Sequence, residues 1–353
     1  MKRVALLGAT GSIGVQARDV IEQHPDLELV AASSGSRPLD GTAPLTQVGG
    51  DPVELLERAE PDVVLNAVVG FAGVRATLWT LERGIDLALA NKESLVAAGE
   101  LALAAWKRGG GRLLPVDSEH SAVFQLVEGR DAETVDSIVL TASGGPFRGR
   151  IRSELEDVRP EDALAHPTWS MGPKITVDSA TLANKGLEVI EAHFLFGLPF
   201  ERIEVVIQPT SVVHALVHLR DGSALAHVGY PDMRVPISYA LTYPERAPVG
   251  IQPLDLSSGL VLEFEPVEDD VFPMLGLARS AGSQGGSYPC VFNAANEVAV
   301  AAFLGGALPF LGIPEVVARA LDAADGSPAA DLDELVATDA EARRLAEQAL
   351  VAA

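Results

Sequence analysis

Asp117, Ser118 and Glu119 stand directly after the apolar run Leu113-Leu114-Pro115-Val116. Such a run reads as the end of a buried strand, and two acids two positions apart leave it pointing roughly the same way. Two like charges buried side by side are costly unless a cation lies between them. The spacing therefore offers half of a divalent-metal site, with a hydroxyl between the ligands. It also offers a helix N-cap, with Asp117 or Ser118 opening a helix over His120-Ser121-Ala122-Val123-Phe124. On these three residues alone, capping is the simpler explanation.

Other polar segments bear on the choice. Asn91-Lys92-Glu93-Ser94 follows the apolar stretch 87–90. In a doubly wound sheet the C-terminal ends of strands line the ligand crevice. Lys92 there suits an anionic or hydroxylated substrate, while Asn91 serves as an N-cap. Residues 141–147 (TASGGPF) form a glycine turn after a strand. It is either a plain turn or one that offers backbone N–H groups to an anion. Residues 166–172 (HPTWSMG) place His166, Trp169 and Met171 in a loop bounded by Pro and Gly. That composition suits a lid that closes over a ligand and excludes water, or a loop that docks Trp169 into the core.

A helix is expected to open at Asp178. Asn184 and Glu188 are four residues apart and Lys185 and Glu188 three, so all share one face. Ser179 is expected at the N-terminus of that helix, where phosphate is favoured. A solvated Lys185–Glu188 pair is the plainer alternative and contributes little. Gly186 costs about 1 kcal/mol in a helix interior relative to Ala, which is easier to explain if a backbone or ligand lies close.

Near the N-terminus, Gly8, Gly11 and Gly14 follow the apolar run Val4-Ala5-Leu6-Leu7 and open a helix. Glycines there let the backbone approach a pyrophosphate, which also sits on the helix N-terminus. Thr10 and Ser12 add hydroxyl donors. A second strand ends at Ala31-Ala32-Ser33-Ser34-Gly35-Ser36-Arg37 without an acid for a ribose 2′-hydroxyl. Hydroxyl, backbone N–H and guanidinium groups at Gly35, Ser36 and Arg37 suit a 2′-phosphate instead. NADPH is therefore expected over NADH.

These residues need elements to position them. Apolar strands at about 4–7, 27–32, 63–67, 87–90 and 112–116 alternate with helical patterns at 53–59, 74–83 and 95–107. That alternation predicts a parallel, doubly wound, Rossmann-like sheet. The stretch up to about residue 50 reads as irregular. Strands at 137–141, 203–207, 212–219 and 224–228, with a helical segment at 180–196, predict a central α+β domain. Residues 243–268 hold Pro244, Pro248, Pro253 and Pro266 and read as a linker. From Pro273 the pattern is helical, with breaks near 305–312 and 324–332. The expected units are 1–117 for the cofactor, 118–242 for catalysis and metal, with the lid at 166–172, and 269–353 as a helical C-terminal domain.

Composition narrows the class. The formal net charge of −23 argues against nucleic acid or an anionic membrane as partner. No apolar stretch reaches spanning length, and the chain begins without the pattern of a signal peptide. The single cysteine, Cys290, excludes an internal disulfide framework. A cytoplasmic globular protein is expected. Only Lys2, Lys92, Lys107, Lys174 and Lys185 are lysines among 26 basic residues, so each merits inspection.

Taken in order, 8–14 (GATGSIG), 91–96 (NKESLV), 115–120 (PVDSEH), 143–147 (SGGPF), 166–172 (HPTWSMG), 177–191 (VDSATLANKGLEVIE), 231–234 (PDMR) and 293–300 (NAANEVAV) give the chain a recognisable signature. It closely resembles the 1-deoxy-D-xylulose 5-phosphate reductoisomerase family over nearly its whole length. The resemblance implies NADPH-dependent conversion of that sugar phosphate to 2-C-methyl-D-erythritol 4-phosphate, in isoprenoid precursor synthesis. It implies one divalent cation, Mg²⁺, Mn²⁺ or Co²⁺, and a homodimer. By motif, Asp117, Glu119 and Glu188 would hold the metal, and Ser143, Ser179, Asn184 and Lys185 the phosphate. Lys92, Ser118 and His166 would contact other polar groups of the substrate. Thr10, Gly11, Ser12, Ile13, Gly35, Ser36, Arg37, Asn91, Glu93 and Gly172 would contact NADPH. An all-oxygen shell of three carboxylates suits Mg²⁺ or Mn²⁺ better than zinc.

Two departures stand out. The stretch between Arg37 and Pro61 is shorter than in typical members, which carry an extra helix and strand there. Ala142 stands where the family usually has Gly. A semialdehyde dehydrogenase would share the two-domain layout but needs a nucleophilic cysteine after the first domain, far from Cys290. A degenerate NADPH sensor would have lost the acids or lysines, and all are present.

Overall fold

The structure, a computed structural model, describes residues 1–39, 41 and 43–351. Strands β1 (Lys2–Leu7), β2 (Leu27–Ser34), β3 (Leu45–Val48), β4 (Val63–Asn66), β5 (Asp86–Leu89) and β6 (Leu113–Pro115) form one sheet in the order β3-β2-β1-β4-β5-β6. All its pairs are parallel. Helices α1 (Ser12–Gln23), α2 (Pro52–Ala59), α3 (Val74–Glu82) and α4 (Lys92–Gly109) connect the strands. The order reverses between β1 and β4, which places a ligand crevice beyond their C-terminal ends.

The expected doubly wound sheet is thus present, with one correction. Residues 38–50, read as irregular, contain β3. It is four residues long and lies at the sheet edge with alternate residues exposed. A short edge strand lacks the apolar run that marks a buried one.

The middle of the chain holds α5 (Ser118–Val127), β7 (Val135–Ala142), α6 (Pro160–Ala163), α7 (Pro173–Thr181), α8 (Ala183–Phe196), β8 (Ile203–Ile207), β9 (Val213–Leu219), β10 (Ala224–Val228) and α9 (Arg234–Thr242). Its sheet runs β10-β9-β7-β8. The β7–β8 pair is parallel and the others antiparallel. Residues 243–268 are largely irregular, with one β-bridge from Ile207 to Glu265. Four helices follow, α10 (Met274–Gln284), α11 (Tyr288–Leu304), α12 (Gly312–Ala323) and α13 (Leu332–Val351).

The helix read as opening at Asp178 is broken. Leu182 takes φ +62°, ending α7 and starting α8. Ser179 therefore lies in the last turn of α7 and not at a helix N-terminus. Leucine rarely marks a left-handed position, so nothing in residue type announced the break.

The cores explain the coherence. One apolar cluster joins Ile138 and Leu140 of β7, Leu187 of α8, and Phe292, Phe303 and Val317 of the C-terminal helices. The two faces of the first sheet have their own clusters, and one includes Ile237, Ala240 and Leu241 of α9. That helix, within the expected 118–242 unit, packs back against the first sheet.

Gly186 meets neither backbone nor ligand first but a neighbouring helix. A Cβ there would lie 2.5 Å from Ala278 Cβ in α10. Gly186→Ala gains about 1 kcal/mol of helix propensity but overpacks this contact, typically by about 1–3 kcal/mol. A net loss of about 1 kcal/mol in denaturant unfolding is expected, and a stabilised variant would show that α10 yields freely.

Candidate active site

Asp117 occupies the N-cap position of α5, yet its side chain makes no capping bond. It turns instead to Lys92 Nζ, with which it pairs closely. Lys92 sits in the first turn of α4, just beyond β5, and is 4% exposed. Its Nζ also donates to Glu188 Oε1 at 2.8 Å and Asn184 Oδ1 at 2.8 Å, both on α8. Lys185 Nζ donates to Glu119 Oε1 at 2.9 Å and pairs with Glu188 Oε2. Ser118 Oγ donates to Glu119 Oε2 at 2.6 Å.

Oxygens of Asp117, Glu119 and Glu188 all lie within 4.8 Å of one another. Three carboxylates face two lysines, so negative charge is in excess. Burial and the Glu188 carboxylate push Glu119 up to about 7. Burial, the largest single influence, raises Asp117 as well, but Lys92, His120 and hydrogen bonds together outweigh it and hold the carboxyl well below its ordinary range. Clustered oxygen donors with unbalanced negative charge fit a hard divalent cation.

Sequence reasoning missed a pair beneath this cluster. His120 Nε2 lies 2.9 Å from the Glu188 carbonyl oxygen, and Nδ1 lies 3.0 Å from Glu191 Oε2. Both side chains are buried. Burial, the largest single influence, opposes a charged imidazole, but Glu191, Asp117 and Glu188 together outweigh it and lift His120 to about 9. The i,i+3 spacing of Glu188 and Glu191 was the available signal, since it puts both acids on one helix face.

A second group forms between β7 and α7. His166 Nε2 lies 3.0 Å from Ser143 Oγ and 3.1 Å from Ser179 Oγ. Its Nδ1 accepts the backbone N–H groups of Thr168 and Trp169 at 3.1 and 2.9 Å. These bonds put the proton of a neutral ring on Nε2, aimed at the serines. Burial lowers the His166 pKa and keeps the ring neutral. The glycine turn makes the approach possible. Gly145 has φ +65°, and a Cβ there would lie 2.9 Å from the Ser179 carbonyl oxygen.

Hydroxyls and an imidazole N–H thus converge, as an anion requires. Asn184 and Lys185, expected with them, turn instead to the carboxylates: Asn184 Nδ2 donates to Glu188 Oε1. The structure pairs His166 with Ser143 and Ser179, the serines expected at the phosphate, rather than with Lys92 and Ser118.

At the first sheet, Gly8 has φ +82° and a Cβ would lie 2.4 Å from the Ala67 carbonyl oxygen. A Cβ on Gly14 would lie 2.2 Å from the Gly8 oxygen. Helix α1 starts at Gly11 without a side-chain cap or an acid in its first turn, leaving amides near Ser12 and Ile13 for an anion. Gly35, Ser36 and Arg37 are exposed beyond β2, and Arg37 Nη1 reaches the Thr10 carbonyl oxygen at 3.4 Å. Loop 166–172 meets this turn, since Ser12 Oγ donates to the Ser170 carbonyl oxygen at 3.3 Å. Trp169 and Met171 are half-buried, between core and solvent.

Asn91 and Glu93 are more occupied than expected. Asn91 caps α4 by accepting the Ser94 N–H, and its Nδ2 donates to the carbonyls of Val68 and Gly70. Glu93 accepts from Lys174 Nζ at 2.8 Å, and Lys174 also pairs with Asp178 at 2.9 Å. Gly172 is exposed and N-caps α7. Cys290 is buried in a core, where burial pushes its thiol pKa up, so it cannot serve as a nucleophile.

The family described as 1-deoxy-D-xylulose 5-phosphate reductoisomerase matches residues 4–48 and 44–99, two pieces that meet in the shortened segment. Its C-terminal domain families match 113–196 and 228–345. A reductoisomerase of that name from Geobacillus kaustophilus is 49% identical, covering 97% of this chain and 98% of the relative. One from Mycobacterium avium is 47% identical, covering 99% and 93%. The chain belongs to the 1-deoxy-D-xylulose 5-phosphate reductoisomerase family. Among solved structures, the Zymomonas mobilis reductoisomerase with NADPH has a TM-score of 0.90 at 38% identity, covering 99% of each chain. A DOX-P reductoisomerase with NADPH, fosmidomycin and magnesium has a TM-score of 0.92 at 36% identity, covering 99% of this chain and 98% of the other. Among the described residues no helix is long and apolar enough to cross a membrane.

Proposed function

We propose that the residues gathered here perform the family's reaction in the roles that follow. The chain is an NADPH- and divalent-metal-dependent oxidoreductase that converts 1-deoxy-D-xylulose 5-phosphate to 2-C-methyl-D-erythritol 4-phosphate. The observation that carries the reading is the meeting of Asp117 and Glu119 of α5 with Glu188 of α8. These three hold the metal, which when bound supplies Lewis-acid polarisation of substrate oxygens.

Ser143, Ser179 and His166 bind the phosphate, with the neutral imidazole donating through Nε2. Asn184 and Lys185, which now bind the Glu188 carboxylate, would be free to donate to the phosphate when that carboxylate holds a cation. Lys92 pairs with Asp117 and Glu188 and donates to the substrate's oxygens, beside Ser118. Thr10, Gly11, Ser12 and Ile13 take the NADPH pyrophosphate, and Gly35, Ser36 and Arg37 the 2′-phosphate. Asn91, Glu93 and Gly172 border the same crevice. Trp169 and Met171 exclude water when the lid closes. Cytoplasmic location and a homodimer belong to this reading through the family resemblance, and sedimentation checks the second.

The direct test follows NADPH oxidation with 1-deoxy-D-xylulose 5-phosphate, with and without Mg²⁺ or Mn²⁺. No turnover with either ion sinks the reading. Arg37→Ala tests the cofactor assignment. Hydrogen bonds to charged groups contribute about 1.5–3 kcal/mol, so KM for NADPH rises about 10–100-fold while KM for NADH stays level. An equal change for both cofactors removes Arg37 from the site.

A further inference from the structure

The segment 293–300 has no role in the reaction as described, yet its side chains reach the first sheet. Glu297 Oε1 on α11 accepts the Phe71 N–H at 3.1 Å and Asn293 Nδ2 at 3.0 Å. Glu297 Oε2 accepts Arg343 Nη2 of α13 at 2.7 Å, and Arg343 also binds Asp339. Gly70 has φ +73°, and a Cβ there would lie 2.7 Å from Glu297 Oε1, so the carboxylate is pressed onto the loop. From the other side, Asn91 Nδ2 holds the carbonyls of Val68 at 2.6 Å and Gly70 at 2.9 Å.

This loop leaves β4, the strand beside β1 at the point where the sheet order reverses. Ala67 N–H donates to the Leu7 carbonyl at 2.9 Å, and the Ala67 oxygen abuts Gly8. The loop is therefore the second wall of the crevice whose first wall is the glycine turn. Val69 at its tip is 68% exposed. Val68 and Phe71 pack against the core on one face of that sheet, and the polar ties fix the backbone between them in one shape.

We infer that Glu297, held by Arg343, is a positioning residue that fixes the 68–71 wall of the NADPH crevice from the C-terminal helices. It touches neither substrate nor cofactor. The inference rests on the reading of that crevice as the NADPH site.

Amide exchange of Phe71 in cofactor-free protein and NADPH affinity by fluorescence, with and without substitution, test it. In Glu297→Ala the Phe71 amide exchanges at least about tenfold faster, and the Kd for NADPH rises about tenfold. The KM for the sugar phosphate changes by less than about twofold. Glu297→Gln keeps an acceptor for Phe71 but turns an N–H toward Arg343, so it falls between the unsubstituted protein and the Ala variant in both measurements. Unchanged Phe71 exchange in Glu297→Ala overturns the proposal. So does a rise in both KM values together, or a Gln variant as impaired as the Ala variant. If Glu297→Ala does not fold, Arg343→Gln leaves the carboxylate but removes its anchor. A folded Arg343→Gln protein with unaltered exchange and affinity overturns the proposal equally. Should the unsubstituted protein fail to bind NADPH, the functional reading falls, and Phe71 exchange alone decides the positioning role.

Discussion

Glu188→Gln is expected to lower kcat/KM about a thousandfold, some 4 kcal/mol of transition-state stabilisation. The amide keeps the shape and an oxygen for Lys92, but it removes one of three anionic donors from the cluster. The cation is then held more weakly and polarises substrate less. The checks are kcat/KM across a range of Mg²⁺ or Mn²⁺ concentrations and a direct metal titration. Stability of the metal-free protein should change little, because two lysines then face two carboxylates instead of three. A variant with full metal-dependent rate would remove Glu188 from the ligand set while leaving the family assignment intact.

Lys92→Met should act with the opposite balance. It also costs about a thousandfold in kcat/KM, but it strips the cluster of the cation that pairs with Asp117 and Glu188. Breaking a buried ion pair from one side typically costs 3–5 kcal/mol, on the order of several degrees or more in Tm. Added Mg²⁺ or Mn²⁺ should restore much of that loss, because a ligand that binds only the folded form stabilises it by mass action. The unsubstituted protein should gain less from the same ion. If metal stabilises both proteins equally, Lys92 is not balancing the carboxylate cluster.

How much of this was legible beforehand depends on where each signal resides. The parallel sheet follows from apolar runs that a buried strand must have, so β1, β2, β4, β5 and β6 were readable. Strand β3 was not, because an exposed edge needs no such run. The acids and lysines of the site were readable by type and spacing, since α8 periodicity alone puts Asn184, Lys185 and Glu188 together. Their partners across the fold were not. That Lys92 of α4 lands between Asp117 and Glu188 depends on how α4 packs against α8, which no local pattern encodes. Ser179 was placed on the wrong end of a helix because a single leucine carries the left-handed turn. Asp117 is the instructive case. Its position is that of a cap, as the tripeptide suggested, but its carboxylate is recruited elsewhere by a lysine 25 positions earlier in the chain. Local sequence chose the backbone role, and tertiary charge chose the side-chain role.

Helix α9 gives the molecule a clasp with a practical result. The chain leaves the first sheet at β6, builds the second, and returns through α9 to place Ile237, Ala240 and Leu241 beside Val4 and Leu6. A gene fragment ending at Asp117 would leave that patch open to water, and one beginning at Ser118 would carry an orphaned apolar helix. Neither half is a clean building block for domain shuffling or split-protein reporters. A cut inside 243–268 keeps α9 with its sheet, but it opens the cluster that β7 and α8 share with the C-terminal helices, so that division exposes an apolar face as well.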